Sequence, residues 1–217
     1  MPEPTYTGTG ITYSFLGWFT AVSDGTQITA SSKVSITGNH TLYAHWSSSA
    51  VTYRVTYNPG SGITGTQQED TKTYGIALTL RTAIFNRTGY VQTGWATSDG
   101  GAKVYELSTS YTANEPIALY PYWTPYVVTV SLDMQGGKGG NTAKNVTYDQ
   151  PMPTITVPTK TGYIFDGYWT GTNGSGTQYY NTDGTSARTC DFTINTTLYA
   201  KWIEDLITTT FDSNDGE

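Results

Sequence analysis

His40 and His45 are the two histidines of this chain, and with Asp99, Asp133, Asp149, Asp166 and Asp183 they are the side chains to which acid–base or metal chemistry would fall. The histidines share one strand-like region and nothing elsewhere repeats them, so a solvated face or a weak cross-strand contact accounts for them better than catalysis or a metal pair. The acids fall mostly in turns, where a carboxylate bonds its own backbone, and no recurring pair of them is placed as a glycosidase dyad requires. Cys190, the single cysteine, stands beside Phe192 in a strand-like run and reads as a small buried hydrophobe; alone it excludes an internal disulfide framework. The run Gly136-Gly137-Lys138-Gly139-Gly140 lacks the Gly-x-x-x-x-Gly-Lys-Ser/Thr spacing of a phosphate loop and reads as a hairpin turn. Asp212-Ser213-Asn214-Asp215-Gly216 lacks the alternating ligands and the bidentate Glu of a calcium loop. No catalytic residue, metal site or cofactor site is expected.

The elements that carry these residues recur. Leu42-Tyr43-Ala44-His45-Trp46, Leu119-Tyr120-Pro121-Tyr122-Trp123 and Leu198-Tyr199-Ala200-Lys201-Trp202 are near-evenly spaced copies of one strand, each preceded by a glycine-aromatic step: Gly17-Trp18-Phe19, Gly94-Trp95-Ala96 and Gly167-Tyr168-Trp169. Strand alternation turns Leu198, Ala200 and Trp202 to one face, the expected core, with Leu42, Ala44, Trp46 and Leu119, Pro121, Trp123 as its equivalents. Proline cannot donate to a ladder, so the strand of Pro121 is expected to be an edge or to run beside a bulge.

The second and third copies open on alternating strands, Tyr53-x-Val55-x-Tyr57 and Val128-x-Val130-x-Leu132, turn through glycines, and continue in a second strand ending near Tyr74 and Tyr148. A short helix is expected over Ile76–Arg81, whereas Pro151, Pro153 and Pro158 leave room for one or two turns at most. The expected domains are an incomplete first repeat over 1–46 lacking its opening strands, a second over 51–123, a third over 126–202, and a lone opening strand over 206–217. The short linkers Ser47–Ala50 and Thr124-Pro125 favour a rod.

With 36% hydrophobic, 14% aromatic and 13% charged residues, the chain is globular but poor in material for surface helices; a mostly β protein, α+β at most, is expected. A net charge of −6 with scattered Lys and Arg provides no phosphate-tracking surface, so nucleic acid is not an expected partner. No stretch approaches the roughly 18 apolar residues of a membrane-spanning helix, so membrane insertion is not expected.

The blocks Val130–Gly137, Pro158–Trp169 and Thr197–Trp202 resemble the Listeria-Bacteroides repeat, the B-repeat type of internalin B, with Gly167-Tyr168-Trp169 standing where that family has Gly-Trp-Tyr. The second copy, with Gly94-Trp95-Ala96, resembles it largely through its phase. The resemblance implies tandem β-grasp-like modules with a short helix against a small sheet, carried on secreted or cell-surface bacterial proteins as spacers, stalks or adhesive modules without an active site.

The first copy starts at Pro4-Thr5-Tyr6-Thr7-Gly8, which aligns with Pro158-Thr159-Lys160-Thr161-Gly162 with extra residues before Phe15, while Ile207, Thr209 and Phe211 repeat an opening strand. That strand added to the first repeat of another copy would give head-to-tail filaments by strand exchange. The competing reading is a fragment of a longer array. An alternative function is adhesion, with tyrosines taken as exposed (Tyr43, Tyr120, Tyr122, Tyr179 and Tyr180) stacking on glycan rings or docking on a host surface protein. Five Asn-x-Ser/Thr acceptors, at Asn39, Asn86, Asn145, Asn173 and Asn195, matter only if the producing organism glycosylates.

Overall fold

A computed structural model describes residues 1–33 and 35–206. The alternating segments form strands throughout: β1 (Ile11–Phe19), β2 (Gln27–Ile28) and β3 (Tyr43–Ala50) in the first repeat. The second contains β4 (Thr52–Tyr57), β5 (Gln68–Thr73), β6 (Leu78–Thr79), β7 (Tyr90–Ala96), β8 (Tyr105–Glu106), β9 (Ser110–Tyr111) and β10 (Ile117–Pro125). The third contains β11 (Val127–Asp133), β12 (Ala143–Thr147), β13 (Tyr163–Trp169), β14 (Gln178–Tyr180) and β15 (Thr196–Glu204).

The third repeat is one sheet in the order β12-β11-β15-β13-β14, and the second repeats that order as β5-β4-β10-β7-β8. Opening and closing strands lie side by side and parallel, Val130 to Asp133 against Thr196 to Tyr199 and Val55 to Tyr57 against Ile117 to Leu119, while the opening hairpins are antiparallel. This is the β-grasp order without its helix. Among the described residues the helical content is a single 3-10 turn, Thr172–Gly174.

The short helix expected over Ile76–Arg81 is therefore corrected. Leu78 and Thr79 pair with Tyr111 and Ser110, and the Leu80 amide donates to the Thr109 carbonyl at 2.8 Å. Leu78 and Leu80 turn inward two residues apart, so a tertiary ladder outweighs local helix propensity. In the third repeat the equivalent stretch is extended and buries Met152 and Ile155.

The closing strands bury the expected faces in the two complete repeats: Leu119 and Pro121, and Leu198 and Ala200, are buried, with the closing tryptophans half-buried. Pro121 sits in a central strand, yet beyond the β4 ladder, which ends at Leu119, so its missing donor costs no hydrogen bond on that side. Opposite lie Val55 and Tyr57, or Val130 and Leu132. Among the described residues the first repeat, with the sheet β2-β1-β3, has no such opposing strand; Leu42, Ala44 and Trp46 are only half-buried, and none of its described residues is a fully buried hydrophobe.

The glycine-aromatic step is a bulge. Pairing with the closing strand shifts between Phe15 and Gly17 and between Phe165 and Tyr168. Gly167 takes φ +90, and a Cβ there would lie 2.3 Å from the Tyr180 carbonyl oxygen, so glycine is required. The ring after the glycine goes inward: Trp95 and Tyr168 are both fully buried, while Trp169 stays half-buried and donates to the Asp166 carbonyl. The aromatic swap in the third repeat thus places a phenol where the second has an indole.

The chain divides into two compact units, Met1–Ile84 with Gly94–Tyr122, and Phe85–Thr93 with the chain from Trp123 onward. The division falls within the sequence of the second repeat.

Candidate functional site

The side chains with catalytic potential are engaged in local structure. His45 stacks on Phe19 with ring centroids 4.0 Å apart, and its Nε2 lies 2.9 Å from the Ala21 carbonyl oxygen. His40 contacts the Gly38 carbonyl. Asp133 and Asp183 accept amides two residues onward, as expected for turn acids, and the bonds from Thr185 hold the Asp183 carboxyl below its usual range. The other acids reach further: Asp99 accepts the Ser61 amide at 2.7 Å, Asp149 accepts the Tyr90 hydroxyl at 3.0 Å, and Asp166, on a strand, pairs with Lys201 at 2.8 Å. Cys190 is buried, which pushes its thiol up, and the nearby Arg188 pairs with Asp191. The Gly136–Gly140 run joins β11 to β12 as a loop. Among the described residues no group of His, Cys, Asp and Glu could hold a metal ion, and no helix is long and apolar enough to cross a membrane.

The tyrosines need correction. Tyr179 and Tyr180 are 3% and 0% exposed and cannot stack on a glycan. Tyr180 pairs across from Tyr168 inside the core, and Tyr179 stacks on Phe192 while donating a short hydrogen bond to Asp191. The Tyr168 and Tyr180 hydroxyls are buried without a partner, and burial pushes both phenols up to about 12. Tyr122 and Tyr120 are half-buried and Tyr43 is exposed; the Lys103 ammonium lies 6.0 Å from the Tyr122 ring centroid. Ile207, Thr209 and Phe211 lie outside the described residues.

A recurring arrangement that the sequence reading missed joins one repeat to the next. Three glycines, Gly10, Gly89 and Gly162, take φ of +72, +77 and +76 in a turn closed by the bridges Gly8–Ile11, Arg87–Tyr90 and Lys160–Tyr163. The carbonyl of each accepts an amide from just beyond the closing tryptophan: Val51 at 2.9 Å, Tyr126 at 2.8 Å and Asp205 at 3.0 Å. Gly10, not Gly8, is thus the equivalent of Gly162. The extra residues before Phe15 lengthen the β1–β3 hairpin, which runs to Ile11 opposite Ala50.

In two of these turns the next hairpin returns onto the glycine. The Tyr74 amide donates to the Val51 carbonyl and the Tyr148 amide to the Tyr126 carbonyl, both at 2.9 Å. The ring then lies flush on the backbone: a Cβ on Gly10 would come within 2.1 Å of Tyr74, and one on Gly89 within 2.3 Å of Tyr148. Around Gly89 the Tyr90 ring meets Tyr148 edge-on at 5.6 Å, the Arg87 guanidinium lies 3.9 Å from the Tyr90 ring centroid, and the Tyr90 hydroxyl donates to Asp149. Burial and then Asp149 push the Tyr90 phenol up. The signal for this joint was present as Thr-Gly before β1, β7 and β13 and as tyrosine just after β5 and β12, two observations that sequence alone does not connect.

At the opposite extreme, among the described residues the first repeat presents β3 as an edge strand. A cavity of about 400 Å³ is lined by Ile28, Ala30, Ile36, His40 and Leu42 among others, none of them on β3 itself; His40 and Leu42 precede β3 and correspond to Thr196 and Leu198, which pair with β11 in the third repeat.

Comparison with known proteins places these features. The family profile of the Listeria-Bacteroides repeat domain matches residues 1–45, 53–121 and 129–201. A protein of Evansella cellulosilytica whose name describes a Gly-rich membrane protein is 29% identical over 219 residues, covering 94% of this chain and 24% of its own length. A second Evansella protein, named as a membrane protein, is 27% identical over 181 residues, 83% of this chain and 25% of its own. Internalin H of Listeria monocytogenes is 32% identical over 81 residues, 37% of this chain and 14% of its own. The chain therefore spans a quarter or less of these relatives. No solved structure matches.

Proposed function

Because the chain belongs to the Listeria-Bacteroides repeat domain family, we propose that it is a non-enzymatic scaffold, displayed outside the cell or on its surface, whose repeats space or carry other parts of a longer protein. The observation that carries this reading is the joint: the first repeat hands the chain to the second, and the second to the third, through backbone hydrogen bonds and a tyrosine seated on glycine, with residues that could serve catalysis spent on local structure. The names of the relatives, internalin H and two membrane proteins, support a surface location. The test is labelling of intact producing cells with an antibody to the chain, followed by protease shaving. Label on intact cells that shaving removes is expected; label that needs lysis would overturn the reading.

The open β3 edge and the cavity at His40 and Leu42 support the head-to-tail form of this scaffold, in which an alternating strand from another copy, carried by Ile207, Thr209 and Phe211, lies parallel to β3. Light scattering across a concentration series, on the chain and on one ending at Trp202, tests it. Mass that rises only with the tail is expected, and a monomer in both would sink strand exchange. The adhesive alternative now rests on Tyr122, with Lys103 near its ring, together with Tyr43 and Tyr120. Binding on a glycan array lost on Tyr122→Ala would support it, and uniform absence of binding would remove it.

A further inference from the structure

The three glycine turns are built alike, yet among the described residues only two carry a ring. Gly10 is half-buried, Gly89 is buried and Gly162 is exposed, and no described residue lies within 4 Å of a Cβ built on Gly162. Everything else of the joint is in place there. The Asp205 amide donates to the Gly162 carbonyl, as Tyr126 does to Gly89. The Lys160 ammonium lies 4.5 Å from the Tyr163 ring centroid, where Arg87 attends Tyr90, and Tyr163 stands 38% exposed.

We propose that the Gly162–Tyr163–Asp205 surface is a docking socket for the opening β-hairpin of a further repeat of this family, joined in cis after Asp205. The inference stands on the joint's geometry and does not need the scaffold reading. The occupant follows from the two filled copies. There the residue bonded to the glycine leads directly into the opening strand, β4 or β11, and the tyrosine that returns to the glycine directly follows the partner strand, β5 or β12. The same connectivity from Asp205 brings in a hairpin whose second strand is followed by tyrosine. Its amide donates to the Asp205 carbonyl and its ring covers Gly162. A carboxylate next to it, as Asp149 follows Tyr148, would accept the Tyr163 hydroxyl. A lone strand, as in head-to-tail exchange, supplies no returning tyrosine and leaves the socket open.

The experiment compares the full chain with an extended chain in which a copy of residues 127–202 follows Asp205. Gly162→Asn is placed in both, because asparagine tolerates the positive φ and adds the Cβ that a seated ring would meet. Gly89→Asn serves as the reference for a filled socket. Expected is a lowered Tm for Gly89→Asn in both chains, and for Gly162→Asn in the extended chain alone. The amide of the returning tyrosine in the added copy should exchange about tenfold or more slowly than in the Gly162→Asn version of the extended chain. A Gly162→Asn effect that is equal in both chains, or absent from the extended chain while Gly89→Asn is disruptive, would overturn the proposal. So would a silent Gly89→Asn, since the ring on glycine would then hold nothing together.

Discussion

The first and third repeats share a closing hairpin and differ in what faces it. In both, the closing tryptophan packs on a phenylalanine, Phe15 with Trp46 at 5.3 Å and Phe165 with Trp202 at 5.6 Å, and that phenylalanine meets the ring after the bulge glycine, Trp18 or Tyr168. In the third repeat Val130, Leu132 and Val146 close the other side, and the Trp202 indole donates to the Met134 carbonyl on the opening hairpin. In the first repeat Tyr6 leans on Tyr13 and Trp46, and the Trp18 indole donates to the Pro2 carbonyl. The aromatic triad can thus assemble on two strands, but full burial requires the opening hairpin. A module of this size without disulfides or metal has little core to spare, so the missing strands remove most of it.

The largest test of that contrast is a matched truncation. Leu198→Ala is expected to cost about 3 kcal/mol, the penalty for a filled core site, and Leu42→Ala less than about 1 kcal/mol, because Leu42 is only half-buried. Denaturant unfolding followed at the tryptophans measures both, and equal losses would erase the difference. Native-state hydrogen exchange should show β1 and β3 opening well before β11 and β15.

Alkaline titration sharpens the comparison. Tyr57, Tyr168 and Tyr180, all in the complete repeats, are pushed up to about 12 by burial. A raised phenol keeps its proton in the folded state while the unfolded chain ionises near pH 10, so stability is full below pH 10 and falls between pH 10 and about 12. The complete repeats should therefore lose structure across that window, and Tyr168→Phe should flatten the fall. The acid limb includes Asp70, held low chiefly by its hydrogen bonds from Arg81. That contribution is present above the ordinary carboxylate range and disappears as pH falls through the lowered value; Asp70→Asn should remove that part of the acid dependence.

The smallest effect is a gain. Tyr168→Phe and Tyr180→Phe each delete a buried hydroxyl that has no hydrogen-bond partner, and each is expected to stabilise the third repeat by about 1 kcal/mol at neutral pH. Destabilisation by either would mean that the hydroxyl is satisfied in solution.

The strands, the core faces and the repeat phase were legible because alternation and recurrence are local. Leu119 and Leu198 are buried where a period of two puts them. The Ile76–Arg81 helix was misread because its residues suit a helix, and only pairing with Ser110–Tyr111, some thirty residues away, selects the extended form. Tyr179 and Tyr180 were both taken as exposed, although adjacent residues of a strand usually face opposite ways and alternation alone buries one of them. Here Tyr180 faces the sheet core, while Tyr179 is capped by Phe192 from a loop that periodicity does not locate. The tyrosine joint escaped because it pairs residues of neighbouring repeats, although its glycines and tyrosines each recur in phase.

Placing the first strand of a repeat beside and parallel to its last also sets how the protein bears a load. The chain enters β11 at Val127 and leaves β15 at Glu204, which in parallel neighbours lie at opposite ends of the pair. A pull transmitted along the polypeptide slides these two strands lengthwise against each other, so the ladder between them resists as a set instead of unzipping bond by bond. The repeat is thereby a mechanical clamp, with its grip centred on Val130 to Asp133 against Thr196 to Tyr199.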